Sequence, residues 1–142
     1  GKQLRQWHEK AALSDVRLVE GAAETVRSLA SRYRLGVVTT RGREEAEALL
    51  ARAGLQEFLP VVIARDTSPR LKPHPQPVQE ASERLGVDVA RCALVGDTEA
   101  DVRAAKAAGA LAVGVLSGFG REEDLQEADL ILQDVTELEE WL

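Results

Sequence analysis

The chain has 142 residues, of which 44% are apolar and 30% charged, with a net charge of −6 and a pI near 5.0. This length suits about one domain, and the composition is that of an ordinary water-soluble globular protein. The acidic balance argues against a nucleic-acid-binding surface, and no apolar stretch is long enough to span a bilayer. We therefore expect neither a nucleic acid nor a membrane as partner.

The first 20 residues carry weak structural signals. Residues 1–12 have helical character, with Trp7 as the only large anchor, and Ser14 or Asp15 can interrupt the pattern. No signal peptide is evident. Because the sequence contains no Met, Gly1 is not a native start, and we expect the chain to be a fragment or to carry a processing scar.

From Gly21 onward, strand and helix patterns alternate. The predicted elements are helix 22–32, strand 35–39, helix 44–53, strand 61–64, helix 78–85, strand 93–95, a helix between Thr98 and Gly109, strand 111–116, helix 122–127, strand 129–132 and a terminal helix that opens with a capping box at 134–137. A loop with four prolines, residues 66–77, separates the second strand from the third helix. Five strands with helices between them predict an α/β fold, a doubly wound and mainly parallel Rossmann-like sheet flanked by helices.

Two aspartates follow a short apolar run in the second half of the chain. Residues 93–95 are typical of a buried parallel strand, Gly96 permits a close turn, and Asp97 stands at the strand's carboxyl end. Ligands of open parallel sheets bind at that edge. Asp101 lies one helical turn later, and two carboxylates suit a hard cation such as Mg²⁺. The alternative is structural, since Thr98 and Asp101 also form a capping-box pattern and Asp97 can be a turn residue.

Two other strand ends carry polar side chains. Thr39 closes the first strand, with Thr40 beside it, and Lys72 lies in the proline-rich loop after the second. The hydroxyls can hold phosphate oxygens, the lysine can neutralise charge as a phosphoryl group moves, and the two aspartates can hold a metal. Each residue alone has a plainer explanation: the threonines can end a strand or cap a helix, and Lys72 can be a solvated loop lysine. Their order and spacing together favour a phosphate and metal site.

On these motifs the chain resembles the haloacid dehalogenase-like hydrolase superfamily, most closely its phosphoglycolate-phosphatase-like branch. Gly36-Val-Val-Thr39 resembles the family's second motif, Lys72-Pro-His-Pro75 its third, and Gly96-Asp-Thr-Glu-Ala-Asp101 its fourth. The resemblance runs from about Glu20 to Leu142.

The resemblance implies a role for each predicted residue. Thr39 and Lys72 are implied to be catalytic, with Thr39, Thr40 and Lys72 binding the phosphate group. Asp97 is implied to be a ligand of Mg²⁺, with Asp101 supporting the metal site. The substrate so implied is a small phosphorylated metabolite.

The family's first motif, Asp-x-Asp-x-Thr, is absent. Its first Asp is the nucleophile that forms an aspartyl phosphate and its second is the acid/base, yet no Asp-x-Asp occurs in this sequence. Asp15 and Asp66 are unsuited substitutes, because they lack both the second Asp and a preceding apolar strand. In the family the motif-one strand lies at the sheet's centre, so its loss would leave two edges with unpaired backbone groups.

We therefore expect residues 1–20 to be the end of a helical cap segment and residues 21–142 to be the α/β core. An upstream segment or a second chain would then complete the sheet and supply the nucleophile.

Two functions of different class remain open. One is a Mg²⁺-dependent phosphatase of small phosphorylated metabolites that acts through an aspartyl phosphate. The other is a noncatalytic relative, a pseudo-phosphatase that serves as a phosphate- and metal-binding or scaffold module. Dehalogenation of a 2-haloacid is disfavoured, because displacement of halide needs no metal clamp on a phosphate.

Cys92 is the only cysteine, so an internal disulfide cannot form. It lies at the edge of the predicted strand 93–95, where a small core residue is expected. A chain without disulfides is typical of a reducing compartment, and we expect a cytoplasmic protein.

Overall fold

A computed structural model describes residues 12–14, 21–117 and 121–141, which are built around a six-stranded parallel sheet. The strands are β1 Ala12–Ser14, β2 Gly36–Val38, β3 Val61–Ile63, β4 Ala93–Gly96, β5 Leu111–Val115 and β6 Leu130–Leu132. Their order across the sheet is β3-β2-β1-β4-β5-β6, and every neighbouring pair is parallel. β4 and β5 are buried at every position, which is why they are continuous apolar runs.

The α-helices in the described ranges are α1 Ala22–Ala30, α2 Arg43–Ala53, α3 Gln76–Leu85, α4 Glu99–Ala108 and α5 Leu138–Trp141. Short 3-10 helices occupy Gln56–Phe58, Val89–Arg91, Glu122–Leu125 and Val135–Glu137. α4 begins at Thr98, whose side chain accepts a hydrogen bond from the third helical residue, and ends at Gly109 in the left-handed region with φ 86°. None of the helices described is both long and apolar enough to cross a membrane.

The helices cover both faces of the sheet, and each face has its own core. α1, α2 and α5 pack on one face against a cluster rich in leucine and valine that includes Leu29, Val95 and Val113. α3 and α4 pack on the other face, where the cluster includes Leu94 and Ala105. Val95 and Leu94 belong to opposite clusters because successive side chains of a strand point to opposite faces. The predicted α/β class, a parallel sheet with helices on both faces, is confirmed.

β1 is the strand that the sequence does not predict. Ala12–Ser14 pairs with both β2 and β4, in the register Leu13 to Val37 and Leu13 to Val95. We expected this central position to belong to a strand outside the chain and residues 1–20 to be cap, whereas Ala12–Ser14 is strand. The rest of that segment, with Trp7 and Asp15, lies outside the described residues, so its assignment to a cap and the existence of an upstream segment stay predictions.

Two departures from the predicted elements concern the helices predicted at 78–85 and 122–127. α3 begins at Gln76, inside the stretch predicted as loop, because Pro77 falls in the first helical turn, where a missing N–H leaves no acceptor unsatisfied. The region predicted as helix 122–127 is a single 3-10 segment, Glu122–Leu125.

The predicted capping box at 134–137 has a different bonding pattern. Asp134 accepts from the N–H of Thr136 at 2.8 Å, and Glu137 accepts from the N–H of Gln133 at 2.7 Å. The segment therefore starts as a 3-10 turn, and α5 follows at Leu138.

Candidate functional site

The carboxyl ends of β2, β3 and β4 lie at one edge of the sheet, and each leads to a residue that the sequence predicts to be functional. Thr39 follows β2, Lys72 lies in the loop after β3, and Asp97 follows β4. The strand order changes direction between β1 and β4, because β2 and β3 lie on one side of this point and β5 and β6 on the other. Crevices at such a switch point are the usual ligand sites of open parallel sheets.

Thr39 is buried, with 4% of its surface exposed. Its N–H donates to the carbonyl of Ile63 at 2.9 Å, which extends the pairing of β2 and β3 by one residue. Its hydroxyl accepts from the N–H of Arg41 at 3.1 Å and so shapes the turn into α2. Thr40, the next residue, is exposed at the rim. The phosphate-binding roles of Thr39 and Thr40 stay predictions.

Lys72 is not the solvated loop lysine of the plainer explanation. It is 9% exposed, and its ammonium donates to the carbonyl of Val38 at 3.2 Å. The same ammonium forms an ion pair with Oδ1 of Asp101. A buried ammonium is costly unless it is paired and hydrogen-bonded, and these two contacts offset that cost. Lys72 thereby joins the β2 end to the β4–α4 turn.

Asp101 is 2% exposed, and both of its carboxylate oxygens contact protein donors. Oδ1 faces Lys72. Oδ2 accepts from the N–H groups of Asp97 and Thr98, both at 3.1 Å, and from the Thr98 hydroxyl at 2.9 Å. The capping box predicted for Thr98 and Asp101 is therefore present, and it coexists with the contact to Lys72.

Gly96 is glycine because Asp101 fills the space where a side chain would start. A Cβ at residue 96 would lie 2.3 Å from Oδ2 and 2.4 Å from Cβ of Asp101, far inside van der Waals contact. The first turn of α4 therefore folds back directly over the end of β4. This close approach places the Asp101 carboxylate beneath the Asp97 backbone.

The donor set fits the predicted Mg²⁺ in part. Asp97 is 1% exposed at the carboxyl end of β4 and offers carboxylate oxygens, the hard donors that Mg²⁺ prefers. Asp101 is held by Lys72 and by the β4–α4 turn, an arrangement that suits support of Asp97 better than direct ligation. No cluster of three or more metal-ligating side chains occurs among residues 21–117 and 121–141. The donor chemistry of Asp97 suits the predicted role of metal ligand, and that role stays a prediction.

Sequence reasoning misses two groups at this site. The Val38 carbonyl that holds Lys72 has no signature, since every residue carries one. The second role of Thr98, as a donor to Asp101, is hidden behind its capping pattern, although the Thr98-x-x-Asp101 spacing could have indicated it.

Cys92 takes no part in the site. It is buried at the start of β4, as predicted for a small core residue. Burial, and to a smaller extent the charge of Asp88, raises the pKa of the Cys92 thiol from 9.0 to about 11. The thiol therefore stays protonated at neutral pH, a state that lacks the nucleophilicity of a thiolate.

Comparison with known families is consistent with this geometry. A family model described as haloacid dehalogenase-like hydrolase matches residues 1–115. The matched region contains all the predicted site residues and β1 through β5.

Two curated relatives are phosphoglycolate phosphatases. The protein from Neisseria meningitidis is 38% identical over 113 residues, covering 76% of this chain and 48% of that protein. The protein from Shigella boydii is 31% identical over 140 residues, covering 96% of this chain and 56% of that protein. The chain therefore spans about half the length of the curated relatives it matches.

A solved structure shows the same architecture. The crystal structure of a predicted phosphoglycolate phosphatase from Haemophilus somnus superimposes with a TM-score of 0.80 at 28% identity. The alignment covers 87% of this chain and 56% of that chain.

Proposed function

Because the chain belongs to the haloacid dehalogenase-like hydrolase family, we propose that the protein is a phosphatase that hydrolyses small phosphorylated metabolites. The observation that carries the proposal is the buried contact of Lys72 with Asp101, beside Thr39 and Asp97 at the switch point. It joins a cation and carboxylates from separate strand ends, with a hydroxyl nearby, in the combination that binds and polarises a phosphate monoester. The similarity to curated phosphoglycolate phosphatases supports the same reaction class.

The proposed reaction runs in two steps through an aspartyl phosphate. A carboxylate attacks phosphorus, the P–O bond to the alcohol breaks, and the alcohol oxygen takes a proton. Water then attacks the acyl phosphate, which releases inorganic phosphate and regenerates the carboxylate. Lys72 stabilises the negative charge on the phosphoryl oxygens in both steps, and the Thr39 hydroxyl donates a hydrogen bond to one of them. Thr40 adds a second hydroxyl at the rim.

The nucleophile in this proposal lies outside the 142 residues. The sequence has no Asp-x-Asp, and the curated relatives are about twice as long as the aligned region. Asp15 is the alternative within the chain. One of the two reasons for setting it aside is weakened, since strand Ala12–Ser14 directly precedes it in the sequence, but the second Asp of the motif is still lacking.

Mg²⁺ is the proposed cofactor, with Asp97 as its ligand from this chain. When bound, the ion would withdraw charge from the phosphoryl oxygens. The Asp101 carboxylate accepts a hydrogen bond from the backbone N–H of Asp97. It thereby fixes the start of the turn that carries the Asp97 side chain, the proposed metal ligand.

Hydrolysis of 4-nitrophenyl phosphate, with and without Mg²⁺, tests the proposal on this chain and on the protein from its full-length gene. We expect turnover only from the full-length protein with Mg²⁺.

In that protein Lys72→Ala should lower kcat by about 10²- to 10³-fold, the effect of removing one preorganised electrostatic donor. Lys106→Ala is the matched control, since Lys106 is half-exposed and lies 3.9 Å from Asp129, away from the strand ends. Full activity in Lys72→Ala, or turnover by this chain that Asp15→Asn abolishes, would contradict the corresponding part of the proposal.

A noncatalytic binding module is the second candidate, and the missing Asp-x-Asp is the observation that favours it. In that case the full-length protein would bind inorganic phosphate in calorimetry yet release none from aryl phosphates. An intact gene that also lacks Asp-x-Asp would then identify a pseudo-phosphatase.

A further inference from the structure

One oxygen of Asp101 receives three hydrogen bonds, and the other receives the ammonium of Lys72. The three donors to Oδ2 are the N–H groups of Asp97 and Thr98 and the Thr98 hydroxyl, at 3.1, 3.1 and 2.9 Å. The Thr98 hydroxyl also accepts from the N–H of Asp101 at 3.2 Å. These contacts oppose rotation of the carboxylate, and so they determine where Oδ1 meets Lys72.

Lys72 depends on that carboxylate for its own position. Its side chain has four flexible carbons, and its ammonium is a compact charge with three donors. The structure places this ammonium between Oδ1 of Asp101 and the carbonyl of Val38, which is the residue before Thr39. A carboxylate turned away from Lys72 would remove its charge-assisted contact, which is stronger than the contact with the neutral carbonyl of Val38.

We propose that Thr98 is a positioning residue of the phosphate site, whose hydroxyl orients Asp101 and through it Lys72. The inference rests on the proposed function, in which Lys72 stabilises the phosphoryl group. It assigns to Thr98 a role in addition to capping α4. The hydroxyl acts here as a donor, whereas capping requires only an acceptor.

Three substitutions separate the donor role from the cap. Thr98→Ser keeps both. Thr98→Asp keeps a good cap acceptor but has no proton to donate to Oδ2 at neutral pH, and Thr98→Val loses both. Thr136→Val is a matched control, because the Thr136 hydroxyl makes a similar contact with Asp134 at the start of the C-terminal 3-10 turn.

The rate at which the Lys72 amine is acylated, measured by mass spectrometry, reports how well Lys72 is held in its buried position. This measurement does not rely on enzyme activity. The Lys72 side chain is 4% exposed and should react slowly, while Lys106, at 44%, serves as internal reference. We expect Thr98→Val and Thr98→Asp to raise the Lys72 rate relative to Lys106 by about fivefold or more, the factor for one lost hydrogen bond. Thr98→Ser and Thr136→Val should match the wild type.

Calorimetry with inorganic phosphate in the presence of Mg²⁺ measures the effect of each substitution on the affinity of the site for phosphate. We expect Thr98→Val and Thr98→Asp to bind phosphate about fivefold more weakly, with Thr98→Ser unchanged. If Thr98→Asp labels and binds like the wild type and only Thr98→Val differs, Thr98 is merely a cap and the inference is overturned. If wild-type protein fails to bind phosphate, the proposed function is contradicted, and the labelling result still decides the positioning role on its own.

Discussion

The two faces of the sheet are packed with side chains of different size. Alanine makes up two of the fourteen buried residues in the cluster beneath α1 and α5, but six of the thirteen beneath α3 and α4. The first face buries long aliphatic side chains such as Leu29 and Leu138, and burial of such groups is the main source of stability. The second face uses small side chains, which allow helices to approach a sheet closely.

The close approach on the second face is what builds the candidate site. Ala104 and Ala105 are fully buried between α4 and its neighbours, and the first turn of the same helix carries Asp101 over Gly96. Of the described glycines, Gly96 is the one at which an added Cβ would lie less than 3.0 Å from a neighbouring atom. The comparison predicts that substitutions on the first face change stability alone, whereas substitutions on the second change stability and the site together.

The largest loss of stability is expected from Leu29→Ala. Leu29 is fully buried on the first face, and truncation of a core leucine costs about 2–5 kcal/mol. Urea unfolding should show this loss, while the labelling rate of Lys72 in the folded protein stays that of the wild type. A faster Lys72 rate would contradict the separation of the two faces.

Gly96→Ala should affect both the stability of the fold and the geometry of the candidate site. The added Cβ would lie 2.3–2.4 Å from Asp101, so the turn must shift, and we expect a cost of about 3 kcal/mol, the upper end for overpacking. Asp101 and Lys72 would be displaced, and Lys72 labelling should become faster. Gly109→Ala is a useful comparison, because its Cβ would meet nothing within 4 Å and only the strain of φ 86° remains.

Ala105→Leu tests whether the small side chains of the second face matter. Ala105 is fully buried, so three additional carbons should cost about 1–3 kcal/mol and push α4 away from its neighbours. We expect weaker phosphate binding in calorimetry as α4 moves. Unchanged affinity in a destabilised variant would show that the site tolerates movement of this helix.

An effect that appears only at high pH is expected from Cys92, also on the second face. Its pKa rises from 9.0 to about 11 on folding, so between pH 9 and 11 the unfolded chain binds fewer protons than the folded one. Stability should therefore fall as pH rises through this window, by about 2 kcal/mol from this group. Well below pH 9 the thiol is protonated in both the folded and the unfolded state, and this loss of stability disappears.

Urea unfolding of wild type and Cys92→Ala at pH 8 and pH 10.5 isolates this contribution. The variant lacks the thiol but shares all other titrations, so the wild type should lose more stability between the two values. Parallel losses would show that the thiol ionises with an ordinary pKa.

The elements from Gly21 onward are predictable because their apolar runs are short and bounded by recognisable stops. Residues 93–95 and 111–116 have no polar side chain, and Gly109 lies between them as a helix terminator. β1 is different, because Ala-Leu-Ser has neither a run nor an alternation. Its strand conformation comes from pairing with β2 and β4, contacts that are remote in the sequence.

The candidate site is predictable to the level of which loops meet, but not of which atoms touch. Thr39, Lys72 and Asp97 follow from strand ends in a parallel sheet. The ion pair of Lys72 with Asp101 does not, because a lysine in a proline-rich loop has many rotamers and only the folded crevice selects one. For the same reason Asp101 is expected as a metal ligand from its spacing, while its contacts favour a supporting role.

The central position of β1 has a consequence for how the sheet unfolds. β2 and β3 pair with each other, and β4 pairs through β5 to β6. In the described sheet the backbone pairing between these two groups of strands runs only through Ala12–Ser14. The ion pair of Lys72 with Asp101 crosses the same seam. A phosphate held between Thr39 and Asp97 would span it as well, and would join two subglobal unfolding units into one cooperative unit. Amide hydrogens on both sides of the seam should then exchange together in the liganded protein and separately in the free one.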